Sequence, residues 1–150
     1  MAEWIEPIFD RTLNDVESAI RQIALQKANG VATPPELKGC LNMGDLNRIE
    51  KDIQFLSDNL SSLYYFSKVT TKTWKRTNLP TATEITRILN NIRILINSFY
   101  QSKDAPDLPT TVLTYEHLNS IEENLYLLKE MLDNMVASFR ECGTLYCGEE

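Results

Sequence analysis

The sequence predicts an all-α fold: a single domain spanning residues 1–150, in which four helices, three of them quasi-repeats, are joined by Pro-containing loops of about ten residues. Three observations carry this. "GDLNRIEKDIQFL", "TEITRILNNIRIL" and "EHLNSIEENLYLL" place aliphatic residues at the same offsets of three and four. A residue able to cap a helix stands four positions before each stripe, and Pro-Gly punctuation separates the segments, with no strand-like alternation of any length.

The first helix is expected at about 13–28. Thr12 with Asp15 offers a cap, Val16, Ala19 and Ile23 follow the common spacing, and Asn29-Gly30 ends it. Gln26 breaks the spacing, while Ile20, Ala24 and Leu25 form an additional or rotated apolar face. The second, at about 43–67, is capped by Asn42 and carries Leu46, Ile49, Ile53, Leu56 and Leu60. The third, at about 82–102, starts after Thr81, which forms with Glu84 a full capping box, and carries Ile85, Ile88, Ile92, Leu95 and Phe99. The fourth, at about 115–141, follows the Thr114 cap with Leu118, Ile121, Leu125, Leu128 and Leu132. First stripe positions lie 39 and then 33 residues apart. Solenoid repeats carry a helix pair each, so one helix per repeat predicts a compact bundle, its loops crossing the bundle ends.

At 150 residues the chain can bury roughly 70% of its unfolded surface in one core. A formal charge of -6 opposes binding to a phosphate backbone, so nucleic acid is not an expected partner. The basic run "KTWKR" (72–76) reads as a solvated loop. "MAEWIEPIF" has no basic n-region, and no apolar run approaches the ~20 residues of a membrane span, so no membrane role and a cytoplasmic site of folding are expected. The three cysteines, Cys40, Cys142 and Cys147, are an odd number, as in a reducing compartment, although Cys142 and Cys147 could meet across the tail.

No metal, cofactor or catalytic set is expected. A di-metal carboxylate bundle needs Glu-x-x-His pairs, and the single His117 has no Glu three residues before it. Glu50, Asp52, Glu122 and Glu123 read as wet faces of amphipathic helices. The chain has no glycine-flanked serine and no G-x-G-x-x-G. His117 fits a first-turn position.

Polar residues recur inside the stripes. Asp52, Asn91 and Asn124 each precede a core position, and Asn47, Thr86 and Asn119 each follow one; Arg48 and Arg87 match while Ser120 departs. Such residues can fix helix register by bonding across to a neighbour, or line an amide ligand site. Trp4 and Trp74 sit in lead-in segments, either as lids over the helix beneath or as exposed anchors for a partner protein. Tyr64, Tyr65 and Phe66 form a second aromatic cluster at the end of the second helix.

"WIEPIFDRTLNDVESAI", "LKGCLNMGDLNRIEKDIQFLSDNL", "TWKRTNLPTATEITRILNNIRIL", "LTYEHLNSIEENLYLLKEML" and "CGTLYCGEE", in that order, resemble small structural proteins of phages and prophages of Firmicutes. Asn78 departs from that pattern, standing where an acid is expected. The resemblance implies a virion component of the tail, baseplate or receptor-binding apparatus, made in the bacterial cytoplasm. Its partners would be other phage structural proteins and copies of itself. The competing expectation is a cytoplasmic prophage-encoded assembly factor, regulator or small enzyme.

Overall fold

The computed structural model describes residues 3–30, 36–112 and 114–141, with residues 140 and 141 described as backbone alone. It contains four helices, α1 (Leu13–Ala28), α2 (Met43–Ser62), α3 (Ala82–Ser98) and α4 (Tyr115–Glu141), and no strand among the described residues. The all-α, four-helix expectation is met, and α1 and α4 have the expected limits.

The matched spacing builds a matched first turn. Leu46, Ile85 and Leu118 N–H donate to the carbonyls of Asn42, Thr81 and Thr114 at 3.2, 3.0 and 3.3 Å. Capping differs in detail from expectation. The reciprocal box forms at Thr12 and Asp15 (2.9 and 3.3 Å). Thr81 forms only half of one, accepting from Glu84 N–H at 3.3 Å, because the Glu84 carboxylate turns to Arg87 and Lys72. Arg87 chiefly, with Lys72, thereby holds the Glu84 carboxyl below its usual range. Asp45 reaches back to Asn42 N–H at 3.0 Å, while the Asn42 amide donates to the Leu37 and Cys40 carbonyls and fixes the incoming loop. Thr114 accepts from His117 N–H at 3.3 Å.

All three stripes turn into one core, from Leu46–Leu60 through Ile88–Phe99 to Leu118–Leu132, with Ile85 packed at its edge. Burying each such side chain contributes about 1.5–3 kcal/mol. A small void is lined by Leu46 and Ile49, Ile85 and Ile88, and Leu118 and Ile121, the first two stripe positions of each segment. Equivalent residues therefore lie at one level, and α2, α3 and α4 run parallel.

Parallel helices demand that the chain return the full length of the bundle between them. A 17-residue helix rises about 25 Å, so the connections cannot simply cross an end, as the ten-residue loops of the sequence reading would. Residues 3–12, 63–80 and 99–112 are instead three extended straps, numbered in that order. The first strap lies over α2 and α4, the second over α2 and α3, the third over α3 and α4.

α1 lies outside this core. Only Ala19 is buried, and Ile20 and Leu25 are 62% and 63% exposed. Gly39 lets the following segment close on α1, for a Cβ there would lie 2.1 Å from the Asp15 carbonyl oxygen.

Two helices end earlier than expected. α2 stops at Ser62 because Tyr64 adopts φ 68, with Tyr65 and Tyr64 N–H donating to the Leu60 and Ser61 carbonyls at 2.9 and 3.1 Å. This closure commonly uses glycine at the Tyr64 position. α3 stops at Ser98, where Phe99 leaves helical geometry and tucks its ring into the core.

Candidate functional site

The repeated polar residues form a ring of clamps at the grooves between the helices. Asn91 accepts from Thr70 N–H (3.3 Å) and donates to its carbonyl (2.8 Å), Asn124 donates to the Pro106 carbonyl (2.9 Å), and Asp52 accepts from Ile5 N–H (2.9 Å). Each holds the strap that runs beside its own helix. The second set works one groove along: Asn47 accepts from Trp74 N–H (2.7 Å) and donates to its carbonyl (3.1 Å), and Asn119 does the same for Arg11 (3.2 and 2.9 Å). Thr86 completes the pattern by position but faces solvent and makes no side-chain hydrogen bond among the described residues. Paired to backbone that would otherwise lie unsatisfied under the straps, the amides tie the straps to the helices.

Of the four carboxylates expected on wet faces, Glu50, Asp52 and Glu122 are buried and Glu123 is half-buried. Glu122 is 0% and Glu50 2% exposed, and they occupy equivalent positions one residue after a stripe isoleucine. Glu122 receives Arg48 Nε at 2.6 Å, Arg48 Nη2 at 3.0 Å, Arg11 Nη1 at 2.7 Å and Ile8 N–H at 3.2 Å. Asp45 takes further bonds from Arg11 (3.0 Å) and Arg48 (2.6 Å). Glu50 pairs with Arg87, whose Nη1 lies 3.1 Å from Oε2, and accepts from the Trp74 indole N–H at 3.2 Å. Burial opposes the Arg48 charge, but Glu122 and Asp45 hold its pKa above the ordinary value. Glu50 does the same for Arg87.

A cyclic order underlies these pairs. Glu50 of α2 binds Arg87 of α3, and Glu122 of α4 binds Arg48 of α2. In the remaining groove the equivalent residues are Leu89 and Ser120, so both members of the ion pair are replaced together and neither charge is stranded.

Asp52 is the exception in the clamp series. Asp52 is 0% exposed and its Oδ2 has no hydrogen-bond partner among the described residues. Burial, reinforced by Glu122 and opposed by the Ile5 N–H bond, pushes its pKa up to about 7.

The aromatic residues separate by environment. Trp74 is 2% exposed and belongs to the core, with Lys72 Nζ 4.0 Å above its ring. It is a lid, as one of the two readings had it. Trp74→Ala is accordingly expected to cost about 3 kcal/mol in chemical denaturation, through the cavity and the lost donor to Glu50. Trp4 is half-buried against Phe55 at 5.7 Å between centroids. Tyr65 is half-buried and packs edge-on to Phe99 at 5.1 Å. Tyr64 and Phe66 stand out at 83% and 72% exposure, their rings 6.2 Å apart and T-shaped. Asn78 accepts from Lys75 N–H at 2.9 Å and so serves a local turn.

Sequence reasoning overlooked Arg11, Asp45 and the burial of Glu50 and Glu122. For Glu50 and Glu122 the signal was available as Glu and Arg recurring at fixed offsets inside the repeat, whereas Arg11 lies outside the repeat and carried none. Cys142 and Cys147 lie outside the described residues. Among the described residues no group of three or more His, Cys, Asp or Glu is placed to hold a metal ion, and no helix is long and apolar enough to cross a membrane. No protein-family model matches the chain, and no similar characterised protein or solved structure was found.

Proposed function

We propose that the chain is a non-enzymatic structural component of a tailed-phage virion, within the tail, baseplate or receptor-binding apparatus. It acts through protein–protein contacts with other phage structural proteins and with copies of itself, after synthesis in the host cytoplasm. The resemblance of the ordered motifs to those of phage structural proteins is the ground for the virion assignment.

Tyr64 supports the contact role. A non-glycine residue at positive φ costs on the order of 1 kcal/mol or more, and here it presents a ring that contributes little to the core. With Phe66 and the 58%-exposed Tyr100 it leaves an aromatic surface at the C-terminal end of α2 and α3, and aromatic side chains of this kind dominate interface hot spots.

Mass spectrometry of purified virions tests the assignment, with the chain expected in multiple copies per particle. Tyr64→Gly with Phe66→Ser tests the surface. It should leave stability unchanged or raised by up to about 1 kcal/mol, while abolishing self-association in light scattering and capture by tail proteins. A wild-type chain that stays monomeric and binds no virion component would refute the reading.

A further inference from the structure

A second surface lies at the opposite end of the bundle, around an open groove of about 330 Å³ between α1 and the Trp74–Pro80 stretch. Its apolar lining includes Ile23, Leu41, Leu46 and Leu79, of which Leu79 is 80% and Leu41 39% exposed. Ile20, 62% exposed, extends the apolar face of α1 beside it. Such aliphatic exposure at one place is a mark of a contact surface.

The chemistry of the walls selects the occupant. Trp74 N–H and carbonyl are both taken by Asn47, Lys75 N–H by the Asn78 side chain, Asn78 N–H by the Lys75 carbonyl at 2.9 Å, and Pro80 has no N–H. The chain turns back on itself between Lys75 and Asn78, so this wall presents no straight run of backbone to an extended peptide, and recognition runs through side chains, as when a helix lies in a groove. Lys75 and Arg76 line the same groove, are exposed, and make no ion pair among the described residues, in a chain of net charge -6. The acid beside them, Glu36, is directed to Gly44 N–H at 2.8 Å.

We propose that this groove receives an amphipathic helix of a partner protein, its aliphatic side chains one turn apart seated beside Leu41 and Leu79 and its flanking carboxylates paired with Lys75 and Arg76. The inference extends the protein-contact reading without depending on the virion assignment.

Fluorescence anisotropy with the full chain tests it, using a labelled helical peptide of about 20 residues with leucine at heptad positions a and d and glutamate flanking them. A twin peptide carries lysine in place of glutamate. The expected result is saturable micromolar binding of the glutamate peptide and at least roughly tenfold weaker binding of its twin. Lys75→Glu with Arg76→Glu should reverse that preference, and Leu79→Ser should weaken binding roughly tenfold without moving Tm, since the side chain is exposed. Absence of saturable binding, or binding indifferent to these substitutions, overturns the proposal. So does wild-type self-association, or binding to phosphatidylserine vesicles, that Leu79→Ser abolishes in place of peptide binding. Virion content bears on none of these outcomes, so the two readings fail separately.

Discussion

Glu122→Gln is expected to destabilise the protein by about 3–5 kcal/mol, read as a lowered urea midpoint with unchanged m-value. Both oxygens of Glu122 accept from guanidinium groups, and the Arg11 and Arg48 side chains are 1% and 11% exposed. A carboxamide would turn a donor toward one guanidinium and leave Asp45 alone to balance two buried cations. The Leu89 and Ser120 groove indicates how the loss is repaired. Arg48→Ser combined with Glu122→Leu should cost less than the sum of the single changes, with a coupling of about 1 kcal/mol or more. Strict additivity would show that the ion pair is not a unit.

Asp52→Asn is expected to do the reverse, and its effect depends on pH. The unfolded carboxyl ionises near 3.8, whereas in the folded protein it stays protonated to about 7. Folding therefore retains a proton that the unfolded chain releases. The associated stability is full below pH 3.8, is lost as pH rises through 7, and stays lost above. The variant has no such loss, so its advantage should be near zero at pH 3.5 and grow to at most about 4 kcal/mol by pH 7.5. The equivalent amides Asn91 and Asn124 support the choice, since both use the Nδ2 donor that Asp52 lacks. Denaturation curves for the two proteins that remain parallel from pH 4 to pH 7.5 would sink the assignment.

The core was legible because one periodicity specified it three times over, with a capping residue at the same distance from each stripe. The end of α2 was not, because Tyr64 occupies a left-handed position that glycine usually announces. Glu50 and Glu122 were misplaced because a carboxylate on an amphipathic helix ordinarily faces water. What distinguishes them is identity at matched offsets, together with Arg48 and Arg87, a constraint that a solvated face does not impose. Similarly, proline in the connections marked them as non-helical, but only the parallel direction of α2, α3 and α4 explains why they run extended. The clamps at Asn47, Asn91, Asn119 and Asn124 were readable as register devices, but a repeat offset alone could not name the strap each one holds.

The reach of the first strap orders events during synthesis. Ile8 meets Glu122 across 114 residues and Arg11 meets Asn119 across 108, whereas the clamps on Thr70, Trp74 and Pro106 close over 21, 27 and 18. On a ribosome releasing its product from the amino end, Ile8 and Arg11 emerge well before α4 and wait longest for their partners. Closing so long a loop is an entropic barrier that local pairings do not face. A nascent chain arrested before α4 emerges would hold Arg11 without its Glu122 and Asn119 partners.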